Sequence, residues 1–176
     1  SIRTLSFVSL LGGLVGARLL FILTQWAFFR AHPLEIFRVD HGGLVFYGGF
    51  IGGMASAVVY ILRSGLPLLK TLDLMMPPLA IAHAFGRIGC FLNGCCYGKP
   101  SQSWCAVRFP GHDHPVLPTQ LFEALGLCFL FLGLRAMQQQ QAKGRPGRVL
   151  GAYLAGYGLL RFGLEYTRGD QSAVWL

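Results

Sequence analysis

The sequence predicts an all-α, polytopic integral membrane helix bundle of about five transmembrane helices, and three observations carry that expectation. The chain is 53% hydrophobic and only 12% charged, whereas soluble domains carry roughly 25% charged residues. Its mean hydropathy is positive, at +0.52. Apolar runs recur at 5–29, 42–62, 74–92, 118–134 and 149–166, each near the ~20 residues that cross the hydrocarbon of a bilayer.

Taken in order, the first run contains GGLVGARLL and the second YGGFIGGMASA. Gly12 and Gly16, Gly48 and Gly52, and Gly49 and Gly53 are each four apart, so each pair stacks on one helix face. Small residues at that spacing let helix backbones approach closely in lipid. The second run is denser in glycine than packing demands, so Gly48 and Gly49 are also candidates for backbone contact with a ligand. The third run ends in GRIGCFLNGCCYG, and the fourth opens on Pro-Thr-Gln and carries Glu123. The fifth holds Arg161 and Glu165, four apart, a spacing that lets them pair along one face. An unpaired charge in hydrocarbon costs at least ~2.5–3.5 kcal/mol on insertion scales.

Orientation follows from the basic residues. Arg135, Lys143, Arg145 and Arg148 lie in one polar connection, which reads as cytoplasmic by the positive-inside rule. Alternation of spans then places seven Lys and Arg inside and five outside, with Arg18, Arg87 and Arg161 within spans. The net charge of +8 forms no compact patch, which argues against a nucleic-acid partner. No cleavage-type site follows the first run. The chain lacks an initiating Met and ends abruptly in QSAVWL, the expectation being a fragment of a longer membrane protein.

This topology brings scattered polar residues to one depth. Tyr47 is expected about a turn inside the outer end of the second span. Arg87 and Asn93 lie at the outer end of the third, Gln120 and Glu123 open the fourth, and Arg161, Glu165 and Arg168 close the fifth. His83 and Arg18 sit deeper, and Asp73 belongs to the inner half. Guanidinium groups bind phosphate bidentately and strongly in low dielectric, so a phospholipid headgroup is the ligand this cluster suits. Glu123 and Glu165 would orient the arginines or shuttle protons.

The cysteines lend themselves less to a site. Cys90, Cys95 and Cys96 follow a C-x4-C-C spacing, without the C-x2-C pairs of common zinc sites, so no metal and no cofactor is expected. A bridge from Cys105 to Cys95 or Cys96 is open if the loop faces an oxidising compartment. Cys90 reads as a small buried side chain.

Five motifs in order resemble the prolipoprotein diacylglyceryl transferase family of bacterial membranes: GLVGARLLFIL (13–23), HGGLVFYGGFIGG (41–53), GRIGCFLNGCCYG (86–98), PTQLFEA (118–124) and RFGLEYTRGD (161–170). The resemblance implies a single transmembrane transferase domain over 1–176, lacking the first and last helices of a seven-helix protein. It implies transfer of the diacylglyceryl group from phosphatidylglycerol to the lipobox cysteine thiol of a prolipoprotein signal peptide, the first step of lipoprotein maturation. The location it implies is the bacterial cytoplasmic (inner) membrane, with the site facing the outer leaflet. On this reading Arg87, Arg161 and Tyr47 are catalytic. Asn93, Glu123, Glu165, Arg168, Arg18, Gly48 and Gly49 bind substrate. Tyr47 departs from the histidine of some members, and a tyrosine is a poorer base near neutral pH. Cys90 and Cys95 replace an asparagine and an acidic residue of some members. A non-enzymatic phospholipid-binding or transport protein is the alternative of another class. A thiol oxidoreductase is a third, which would make Cys95 and Cys96 indispensable.

Overall fold

Five long helices replace the five apolar runs in the computed structural model, which describes residues 2–37, 43, 45–110, 113–140 and 145–167. They are α1 (Ile2–Thr24), α3 (Phe46–Arg63), α4 (Leu68–Leu92), α5 (Thr119–Gln139) and α6 (Arg148–Glu165). A short α2 (Trp26–Ala31) and a 3-10 helix (Pro33–Phe37) follow α1. Among the described residues, α1, α3, α4 and α5 are long and apolar enough to cross a membrane. Helix α6 equals α3 in length but carries Arg148, Arg161 and Glu165, so length and apolarity give four spans where the sequence suggested about five.

The boundaries move for physical reasons. The first run breaks at Thr24 and Gln25, where polar side chains interrupt the apolar stretch, and α2 restarts the helix. Helix α4 begins six residues before the expected start and takes in Lys70 and Asp73, because the Asp73 carboxylate has partners described below. Pro77 and Pro78 lie inside α4; neighbouring helices let membrane helices tolerate proline.

The chain forms two compact units, residues 1–68 and 69–176. In the first, α1 and α3 meet along glycine. A Cβ on Gly16 would stand 2.9 Å from Gly52 Cα, and a Cβ on Gly52 would stand 2.9 Å from Gly16 Cα. No side chain fits there, which is the close backbone approach that four-residue glycine spacing predicts. The Ser56 hydroxyl donates to Gly52 O on the same helix.

In the second unit α4, α5 and α6 share a core. Met76, Ala80, Leu134, Val149 and Tyr153 form one buried cluster. Ala84, Ala124 and Leu127 form another. Leu160 fills the space over Gly126, and Leu130 that over Gly156, so each of the two facing helices gives a small residue to the other's leucine. The 93–117 connection ties three helix ends together. Gly98 N–H donates to Leu117 O (2.8 Å), and Lys99 N–H donates to Thr167 O just past α6 (2.9 Å). A Cβ on Gly98 would lie 2.6 Å from Thr119 Cγ2 and 2.7 Å from Thr167 O, so only glycine fits at this junction.

Candidate functional site

The polar centre of the second unit is Glu123, one turn into α5 and 3% exposed. Three groups from two other helices reach its carboxylate. Arg87 of α4 approaches Oε1 through Nε at 3.2 Å, and Arg161 of α6 approaches Oε2 through Nη1 at 3.8 Å. The Tyr157 hydroxyl, one turn before Arg161, donates to Oε1 at 3.2 Å. Arg161 also donates through Nη2 to Glu165 Oε2 at 3.0 Å. The i,i+4 pair read from the sequence therefore exists, but it is the outer arm of a larger cluster.

Two arginines and two carboxylates balance one another, as burial near hydrocarbon requires. The balance is uneven in space. Glu123 is sealed in, while Arg87 and Arg161 keep 19% and 27% of their side-chain exposure. Arg87 approaches Glu123 through Nε, at the inner edge of its guanidinium. A buried carboxylate thus aims two partly exposed guanidinium groups. Such an arrangement can receive an oxyanion, because guanidinium donors match phosphate geometry. The imidazole of His83, one turn before Arg87, lies 4.9 Å from the Tyr157 ring, centroid to centroid.

The remaining candidates divide by unit. Asn93 is exposed in the turn that ends α4, its N–H donating to Gly89 O at 3.0 Å, and its side chain makes no hydrogen bond to the cluster. Arg168 lies outside the described residues. In the first unit Tyr47 is the second residue of α3 and 72% exposed. It is therefore at the helix start and not a turn inside it, because α3 begins at Phe46 and the expected span began at 42. Gly48 is buried against α1, where a Cβ would meet Leu20 Cβ at 2.6 Å, so packing accounts for it. Gly49 sits at ordinary contact distance, 3.5 Å, from Ala17 Cβ.

Arg18 has a structural task. Its Nη2 donates to Glu35 O (2.7 Å), its Nε to Ile36 O (3.1 Å) and its Nη1 to Gly43 O (3.3 Å). Its guanidinium carbon also lies 5.6 and 5.4 Å from the ring centroids of Phe21 and Phe29. The charge is thereby spread over carbonyls and π-faces, and Glu35, Ile36 and Gly43 are tied to α1.

Two features were not read from the sequence. Tyr157, a third ligand of Glu123, falls one turn from Arg161, and that spacing was its available signal. The convergence of the cysteines is the other. The Cys90, Cys95 and Cys96 sulfurs all lie within 4.8 Å of one another. Cys105 bridges neither Cys95 nor Cys96; its sulfur lies 3.4 Å from Ser103 Oγ, and all five cysteines are free. Burial, reinforced by a hydrogen bond with Cys95, pushes the Cys96 thiol up to about 11.

Fold and site together define a multi-pass helical membrane protein with a buried carboxylate clasped by two arginines. The family model described as prolipoprotein diacylglyceryl transferase matches residues 1–176, and the chain belongs to that family. The chain is 37% identical over 175 residues to the phosphatidylglycerol–prolipoprotein diacylglyceryl transferase of Clostridium tetani, covering 96% of this chain and 69% of the relative. It is 34% identical over 175 residues to phosphatidylglycerol–prolipoprotein diacylglyceryl transferase 2 of Clostridium perfringens, covering 94% and 66%. To the protein of the same name from Ruegeria pomeroyi it is 38% identical over 172 residues, covering 90% and 58%. The chain therefore spans between 58% and 69% of the length of these curated relatives. Proteins of this family name are transferases, which does not favour the non-enzymatic alternative.

Proposed function

We propose that this chain is the core of a phosphatidylglycerol–prolipoprotein diacylglyceryl transferase. The observation that carries the reading is the clasp of Glu123 by Arg87 and Arg161, on a chain whose relatives bear that name. The acceptor is the thiol of a lipobox cysteine. Its sulfur attacks the glyceryl carbon that bears the phosphate ester, the carbon–oxygen bond breaks, and a glycerol phosphate leaves with the bonding pair. The thiol proton passes to a base as the thioether forms.

Charge develops on the departing phosphate, and preorganised donors that meet it there lower the barrier most. Arg87 and Arg161 supply their partly exposed guanidinium groups. Glu123 positions both, and Glu165 steadies Arg161. Asn93 and Arg168, near the same helix ends in sequence, serve the glycerol end of the headgroup. Tyr47 hydrogen-bonds substrate at the start of α3, Gly48 and Gly49 seat that helix against α1, and Arg18 ties Glu35, Ile36 and Gly43 to α1. The site belongs to the outer half of the bacterial cytoplasmic membrane, where lipid headgroup and secreted peptide both arrive.

The test supplies membranes containing the full-length protein with phosphatidylglycerol and a lipobox peptide. Mass spectrometry is expected to find a diacylglyceryl group on the peptide cysteine, absent with Arg87→Ala. Phosphatidylglycerol that binds while the peptide stays unmodified, where a relative from Clostridium tetani works, would overturn the reading.

A further inference from the structure

Three cysteines that the transfer chemistry does not use meet where α4 ends. The chain leaves the helix through Asn93 and Gly94, and Gly94 adopts a left-handed φ of +67°. The Cys95 N–H then donates back to Cys90 O at 3.1 Å, which folds the turn over the last part of the helix. Cys96 also adopts a left-handed backbone, φ +62°, an uncommon conformation for a residue with a Cβ. This turn, and not the spacing, brings a C-x4-C-C sequence to a single point.

The turn is held from outside by α5. Gln120 Nε2 donates to Cys95 O at 2.7 Å, and Thr119 Oγ1 donates to Cys96 O at 3.1 Å. Gln120 is itself 1% exposed, so this support is fixed by packing. Two of the three cysteines therefore have their backbones clamped, and the third lies on a regular helix.

We propose that Cys90, Cys95 and Cys96 form a binding site for one thiophilic closed-shell metal ion, Zn²⁺ or Cu⁺. Thiolate ligands select these ions. With metal–sulfur bonds of ~2.3 Å, three sulfurs around one ion stand roughly 3.8–4.0 Å apart. The sulfurs here are within 4.8 Å, so contraction by about 1 Å, within reach of side-chain rotation, closes the site. All three cysteines are half-buried, which shelters the ion while leaving it a path of entry. Binding releases three thiol protons, and the charge of the bound ion offsets much of the negative charge this leaves on the sulfurs. Three protein ligands leave a fourth position open on zinc, whereas Cu⁺ is complete with three. The site stands whether or not the chain is a transferase.

The test uses the full chain, purified in detergent under a phosphine reductant and titrated with Co²⁺ as a spectroscopic stand-in. A sulfur-to-cobalt charge-transfer band saturating at one equivalent, and bleached by one equivalent of Zn²⁺, is the expected result. The band disappears with Cys90→Ser, Cys95→Ser or Cys96→Ser and survives Cys105→Ser and Cys128→Ser. Serine is nearly isosteric, and a circular dichroism spectrum matched to the parent's separates lost ligation from lost fold. The wild-type chain gives a second readout, since bound Zn²⁺ or Cu⁺ protects these three thiols from alkylation. The metal carried by protein taken directly from membranes distinguishes zinc from copper. No band at one equivalent, a band that persists with Cys90→Ser, or a disulfide among the three cysteines in protein from membranes would overturn the proposal.

Discussion

Asp73 and Glu123 are two carboxylates of the same unit with nearly the same burial, 2% and 3% exposed, and opposite tasks. Asp73 of α4 accepts from the Gly147 N–H through Oδ2 at 2.7 Å and from the Leu150 N–H through Oδ1 at 2.8 Å. These are amides at the start of α6, so a side chain from another helix satisfies donors that a helix terminus leaves open. Gly147 is at φ +90° there. These backbone donors are fixed in place at the helix terminus and cannot swing away from Asp73 toward a ligand as a side chain can. Glu123 instead holds side-chain cations that retain some exposure and can turn toward an anion. Burial alone does not mark function; the exchangeability of the partners does.

The largest effect on this contrast is expected at the arginines. Arg87→Ala or Arg161→Ala should reduce diacylglyceryl transfer by roughly 10²–10³-fold, the usual loss for one transition-state donor. Thermal stability should change less than with a Glu123 variant. Transfer and melting, measured on the same preparations, check both.

Glu123→Gln comes next. It keeps one hydrogen-bond acceptor but leaves two arginines without their shared counter-ion. Breaking a buried pair costs about 3–5 kcal/mol, and the remaining exposure of the arginines places this case toward the lower end. Both stability and transfer should fall, as denaturation in detergent and the peptide assay would reveal.

Asp73→Ala should do the reverse of an arginine variant. Two amide donors lose their acceptor at about 1–3 kcal/mol of stability, while transfer per folded molecule stays near the parent value. Tyr157→Phe is the mildest change. It removes one donor to Glu123 and should cost about 0.5–1.5 kcal/mol, with transfer altered only a few-fold.

Much of this arrangement was legible in the sequence because it is local. Apolar runs gave the helices, four-residue glycine spacing gave the α1–α3 contact, and the same spacing gave Arg161 with Glu165. Arg87 and Glu123 were legible as candidates through topology, which put both near one end of their helices. Their direct pairing, with Glu123 at the centre, depends on how α4, α5 and α6 rotate about their axes, and no single segment encodes that. Asp73 was read only as an ionisable group of the inner half, since its partners lie 74 and 77 residues away. Arg18 reads in the sequence as a charge deep in the first run, and its substrate-binding role came from the family resemblance, because its carbonyl partners lie 17, 18 and 25 residues away. The cysteine convergence rests on two left-handed residues in one turn, which the cysteine spacing does not announce.

The most direct measurement of the central claim is the affinity of glycerol phosphate for the full-length protein in detergent, compared across the parent, Arg87→Ala and Asp73→Ala. A charge-assisted hydrogen bond is worth about 1.5–3 kcal/mol, so Arg87→Ala should weaken binding at least about tenfold while Asp73→Ala leaves it unchanged. Equal binding by the parent and Arg87→Ala, or an equal loss in both variants, would contradict the assignment of the Glu123 cluster as the phosphate site.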